Sequence, residues 1–89
     1  VLLFEEGMEA DSVRKLADAV TQTCEGCCAV FSKNSDGSYK YAMGEKNGDL
    51  RNFTKEMNVA LNGRGGGKPF FVQGSVQACE DEIRRFFER

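Results

Sequence analysis

The chain has 89 residues, 40% of them hydrophobic, with 12 Lys and Arg against 14 Asp and Glu, four Cys and no His. This length fits one domain with a single thin core. Without an imidazole there is no Ser-His-Asp or Cys-His relay and no His-ligated catalytic zinc, and the formal net charge of −2 weighs against a domain that grips nucleic acid by bulk charge.

The chain opens on Val1-Leu2-Leu3-Phe4, without the basic flank and long apolar run of a signal peptide. No stretch approaches the roughly 18 apolar residues of a membrane span. The reading is a soluble, cytoplasmic piece of a longer protein with no membrane partner.

Val1 to Phe4, closed by Glu5-Glu6-Gly7, reads as a buried strand. Asp11 or Ser12 offers an N-cap, and Val13, Leu16, Ala17, Val20 and Cys24 make one apolar helical stripe that stops near Gly26. Cys27 to Phe31 is a second strand. Asn34-Ser35-Asp36-Gly37 is a turn signal, and Tyr39, Tyr41 and Met43 alternate with Ser38, Lys40 and Ala42 as a half-buried strand. Residues 27–44 therefore read as an antiparallel hairpin.

Asp49 is placed to cap a second helix carrying Leu50, Phe53, Met57, Ala60 and Leu61, which stops at Asn62-Gly63. Then comes a loop, residues 63–69, that holds four of the ten glycines. Phe70-Phe71-Val72 reads as a buried strand ended by Gly74-Ser75. A last helix, 78–88, buries Ile83, Phe86 and Phe87 and exposes Glu80, Glu82, Arg84 and Arg85. The order is β-α-β-β-α-β-α, an α/β (α+β) domain with a mixed sheet of about four strands covered by helices.

The glycine loop is the most informative stretch. Consecutive glycines let a backbone come close to a ligand, and N–H groups that point the same way form an anion nest. Arg64 and Lys68 bracket Gly65, Gly66 and Gly67, and no acid lies between Asn62 and Gln73. The combination suits a phosphate; a steeply turning connector is the alternative. It is not a P-loop, whose Gly-x4-Gly-Lys-Ser/Thr spacing is missing.

The run Asn62-Gly63-Arg64-Gly65-Gly66-Gly67-Lys68-Pro69, followed by Phe71-Val72-Gln73-Gly74-Ser75, resembles the C-terminal DHH-associated domain of alanyl-tRNA synthetases and freestanding alanyl-tRNA editing hydrolases. The accessory domain of DHH phosphoesterases is a relative. There the glycines are typically followed by His; Lys68-Pro69 points to the alanyl-tRNA branch, and Gln73-Gly74-Ser75 leans towards the freestanding editing enzyme. The resemblance implies one DHH-associated domain over 1–89. It implies a non-catalytic module that engages alanine tRNA for an upstream editing domain, whose zinc site removes a mischarged amino acid. It makes Gly65, Gly66, Gly67 and Lys68 the motif residues, with Gln73 at the following strand end, and it places no cofactor and no catalytic residue in this chain. The alternatives are a phosphate-binding domain of a DHH phosphoesterase and a structural or oligomerisation module, a homodimer included.

Cys24-x2-Cys27, with Cys28, has metal-ligand spacing, and only Cys79 remains as a fourth thiol. Burial as small hydrophobes is the favoured reading, with a metal or a redox pair as the alternatives. Charge is uneven. Residues 1–25 carry six acids and two bases, and residues 33–68 carry seven bases and four acids. Lys33, Lys40, Lys46, Arg51, Lys55, Arg64 and Lys68 are read either as solvated surface or as one shallow basic face for RNA phosphates. Tyr39 and Tyr41 read as core in preference to a base-stacking platform. Glu80, Asp81 and Glu82 complement the dipole of the last helix.

Overall fold

The computed structural model describes residues 2–23, 27–45 and 48–88. Among them the chain forms β1 (Leu2–Glu6), α1 (Ala10–Thr23), β2 (Cys27–Lys33), β3 (Tyr39–Glu45), α2 (Arg51–Ala60), β4 (Arg64–Lys68), β5 (Phe71–Val76) and α3 (Glu80–Glu88). The strands make one mixed sheet in the order β1-β2-β3-β5-β4. β1 runs parallel to β2 through the α1 crossover, and the remaining pairs are antiparallel. The expected α+β architecture holds, with one strand more than expected: the glycine stretch is not a loop but the edge strand β4.

Side chains alternate across a strand, so the sheet carries two cores. On one face Ala29, Phe31, Tyr39, Tyr41, Met43, Val72 and Val76 pack with Leu50, Met57 and Leu61 of the α2 segment and with Ile83 and Phe86 of α3. Phe53 and Phe87 knit the two helices, with ring centroids 5.4 Å apart, and Phe87 meets Phe31 edge-on at 5.7 Å. On the opposite face Cys28, Val30 and Ala42 take Val13 and Ala17 of α1, with Leu3, Leu16, Val20 and Phe71 around them.

Several local expectations change. Helix α1 begins at Ala10, and the Glu9 carbonyl accepts the Val13 N–H. Asp11 is therefore not a cap; it pairs with Arg14 and Lys15 in the first turn. Strand β3 lies between β2 and β5, so it is buried on both faces and Ala42 is as enclosed as Tyr41 and Met43. The Asp36-Gly37 pair sits in the longer connection 34–38, where Gly37 has φ 90°. In α2 the buried row is Leu50, Thr54, Met57 and Leu61, while Ala60 faces solvent. Asn62 at φ 53° and the Gly63 N–H to Asn58 carbonyl bond end that helix as a Schellman motif. Phe70 is an exposed turn residue, and β5 continues through Gly74 and Ser75 to Val76. In α3, Glu80 is half-buried and holds Arg84 at 3.0 Å, and Phe87 is half-buried. Cys24, Gly26 and Lys46 lie outside the described residues.

No helix among the described residues is long and apolar enough to cross a membrane. Phe31 is fully buried, its ring 5.9 Å from that of Tyr41 in β3 and 5.7 Å from that of Phe87 in α3. Phe31→Ala is therefore expected to cost about 3–5 kcal/mol of folding free energy, read from urea denaturation.

Candidate nucleic-acid interface

Strand β4 follows the Schellman turn and folds back on β5 through Pro69 and Phe70. Its register is Arg64↔Ser75, Gly65↔Gly74, Gly66↔Gln73, Gly67↔Val72 and Lys68↔Phe71. In a strand successive N–H groups point in opposite directions, so the glycine amides do not converge into a nest.

The same register divides the motif between the two faces of the sheet. Gly65 and Gly67 lie on the face of Val72 and Gly74, turned towards α2. Arg64, Gly66 and Lys68 lie on the α1 side with Gln73.

The α2 side is a groove of about 400 Å³ whose polar groups are largely committed. Asn58 accepts the Tyr41 hydroxyl at 3.1 Å, and its amide reaches the Gly65 carbonyl at 3.4 Å. Burial pushes the Tyr41 phenol up. Asp49 binds the Arg51 guanidinium at 2.6 Å and accepts the Arg51 N–H at 3.0 Å. Leu50, not Asp49, is the N-cap residue, and it makes no side-chain cap bond. The Arg51 hydrogen bonds pull the Asp49 carboxyl down to about 2. Lys55 also lines this groove.

On the α1 side the helix covers β2 and β3, Phe71 of β5 packs at its margin, and the edge strand β4 is exposed. Arg64, Gly66, Lys68 and Gln73 are all exposed there. Neither Arg64 nor Lys68 forms an ion pair among the described residues. Lys40 is on the same side but is tied to the Met8 carbonyl at 3.1 Å and to Asn34 Oδ1 at 2.6 Å. The described members of the basic set thus do not form one face: Arg51 and Lys55 sit with α2, and Arg64 and Lys68 sit across the sheet.

Each glycine has a separate explanation. Gly65 has φ 151°, and a Cβ there would lie 2.5 Å from the Gln73 carbonyl oxygen and 2.5 Å from the Tyr41 hydroxyl. Gly67 has φ 156° and would meet the Phe71 carbonyl at 2.6 Å. The fold therefore demands both. Gly66 has no positive φ, and nothing lies within 4 Å of its would-be Cβ. The fold has room for a side chain at Gly66, between two cations and opposite Gln73.

Cys27 and Cys28 belong to opposite cores, Cys27 against the α2 and α3 side and Cys28 against α1. Adjacent strand residues facing opposite ways cannot ligate one ion. Cys79 is exposed at the start of α3, with Sγ 3.3 Å from Glu82 Oε1. Tyr39 and Tyr41 are core residues, 5% and 2% exposed, in line with the sequence reading.

Two outcomes are expected. Gly65→Ala lowers the thermal midpoint by several degrees while Gly66→Ala leaves it within about a degree, as for a substitution that touches no neighbour. In an NMR titration the Asp49 carboxyl shows a midpoint near 2, so the Arg51 clasp persists at every pH above that.

Known proteins extend this picture. The DHHA1 domain model matches residues 1–89. The alanine–tRNA ligase of Acholeplasma laidlawii is 29% identical over 86 residues, 97% of this chain and 10% of that protein. The alanine–tRNA ligase of Ureaplasma parvum serovar 3 is 50% identical over 37 residues, 39% of this chain and 4% of the ligase. The chain therefore spans a tenth or less of the length of these curated relatives. Among solved structures, the C-Ala domain from Aquifex aeolicus alanyl-tRNA synthetase superimposes with a TM-score of 0.81 at 22% identity, covering 98% of this chain and 84% of that one. With the whole chain matched, the protein belongs to the DHHA1 domain family.

Proposed function

We propose that this chain is a non-catalytic RNA-binding accessory domain of an alanyl-tRNA synthetase, working on tRNA in the cytoplasm. The carrying observation is Gly66, a glycine with free space above it, set on the exposed edge strand between Arg64 and Lys68, which form no ion pair among the described residues. A residue without a side chain lets a ribose-phosphate strand lie against the β4 backbone, and the two cations meet phosphates on either side. Residues four apart on a strand are about 13 Å from one another, a span of roughly two phosphate steps. Gly65 and Gly67 act through the fold, by holding β4 against β5. Gln73 faces the same strand from β5.

The matched relatives are ligases, which favours the synthetase branch over the freestanding editing hydrolase. In that setting the domain holds alanine tRNA while separate domains charge it or, with their own zinc, remove a mischarged amino acid. This chain contributes grip and placement and no ligand to that metal, since it has no His and its paired thiols face apart.

Alanine tRNA binding, followed by filter retention at several salt concentrations, tests the reading. Lys68→Ala and Arg64→Ala are each expected to weaken binding and to reduce the slope of log K against log salt by about one unit. Gly66→Leu is expected to weaken binding without loss of thermal stability. Wild-type affinity in a folded Arg64→Ala/Lys68→Ala double variant would remove RNA from this face.

A further inference from the structure

We propose that the groove between α2 and the outer edge of β4 receives an extended peptide strand of a protein partner, with a carboxylate opposite Gly67 and an apolar side chain opposite Gly65. These two side chains lie on the face of the sheet opposite to the one proposed for RNA.

The backbone of β4 is suited to strand addition. The strand stands at one end of the sheet, pairs with β5 alone, and is exposed along all five residues. In an antiparallel strand the N–H and C=O groups point to its two sides in alternation, so the outer side of β4 carries a row of groups for a further strand. The usual obstacles are missing. The register from Arg64 to Lys68 runs one for one with no bulge, and Pro69 lies beyond the strand. An added strand supplies main-chain hydrogen bonds, and the groove beside it selects alternate side chains.

Helix α2 runs antiparallel along this edge. At one end the Leu50 N–H donates to the Pro69 carbonyl at 2.7 Å, and at the other the Asn58 amide reaches the Gly65 carbonyl at 3.4 Å. Thr54 and Lys55 therefore stand nearer Gly67, and Asn58 and Val59 nearer Gly65. Thr54 lines the groove and is only 4% exposed, yet its hydroxyl has no hydrogen-bond partner among the described residues. A buried hydroxyl in that state is uncommon, and an acceptor entering the groove supplies its partner. Lys55 is exposed and forms no ion pair among the described residues. No acid among the described residues lines the groove. A carboxylate at this level meets both the hydroxyl and the ammonium. One helical turn further along, Val59 is 80% exposed and offers an apolar contact. Side chains two apart on a strand share a face, so one short segment reaches both places.

A second copy of β4 fits less well. Two such strands paired about a two-fold axis at Gly66 would set each Arg64 opposite the other chain's Lys68, and like charges directly opposite resist pairing.

An NMR titration with the peptide acetyl-Thr-Glu-Thr-Val-Thr-amide, followed at the amides of Gly65, Gly66 and Gly67, tests this. Saturable shifts are expected, and Gln in place of the peptide Glu should weaken binding about tenfold. Two N-methylated peptides, one modified at Glu and Val and the other at the three Thr, should differ, because only one edge of the peptide pairs with β4. Thr54→Val should weaken binding about fivefold without lowering the thermal midpoint. Lys55→Glu should lose the Glu peptide and accept its Lys counterpart. The Arg64→Ala/Lys68→Ala variant should keep the peptide affinity, and a loss there would put the peptide on the other face and overturn the groove. The proposal also falls if no saturable shift appears at millimolar peptide, if the two methylated peptides bind alike, or if Thr54→Val or Lys55→Glu binds as the wild type does. Glycine shifts that grow with protein concentration alone would give the groove to a second copy and overturn it equally.

Discussion

The approach of β4 to β5 at Gly65 and Gly74 is the constraint on which the rest of the structure depends. A Cβ on Gly74 would collide with the Arg64 carbonyl oxygen and lie 2.6 Å from the Gly65 Cα, so no pair of residues with side chains fits there. Beneath them the Tyr41 hydroxyl rises from the central strand, buried and in need of a partner. Asn58 supplies it, and the same side chain reaches the Gly65 carbonyl. One helix and three strands therefore converge on one polar cluster at the edge of the apolar core. The contact sets where α2 sits over the sheet and in what register the edge strand closes it.

The surface proposed for RNA follows from that register by alternation alone. Once Gly65 and Gly67 are turned towards α2, Arg64, Gly66 and Lys68 must appear on the opposite face. That face is open because one helix cannot cover five strands. α1 arises from the crossover between β1 and β2, so it packs over β2 and β3 and ends short of the hairpin. The two faces then differ in kind. On the α2 side Asn58 and Arg51 are held by internal partners. On the α1 side Arg64, Lys68 and Gln73 are exposed, and none of them forms an ion pair among the described residues.

Electrostatics shapes this surface without stabilising the fold much. The ion pairs among the described residues are solvent-exposed, and such pairs contribute little to stability. Their effect is to decide which cations are free. Asp11 occupies Arg14 and Lys15, Asp49 occupies Arg51, and Glu80 occupies Arg84. The net charge of −2 therefore does not describe the glycine strand, where Arg64 and Lys68 form no ion pair among the described residues.

The sequence by itself determined the helices, the β2–β3 hairpin, most of the core residues and the family. Those depend on local periodicity, turn chemistry and one distinctive run of residues. It also marked Arg64, Lys68 and Gln73 as candidate contacts. It did not tell that the glycines form a strand, because three residues without side chains have no alternation to read and glycine has low intrinsic strand preference. Tertiary structure decided that point by offering β5 as a pairing partner and Tyr41 as a floor. It also decided which glycines the fold requires and which has open space above it, and it brought Phe70 out of the expected core to the tip of the hairpin. Each of these depends on where one strand lies against another, a distance that no pattern along the chain encodes.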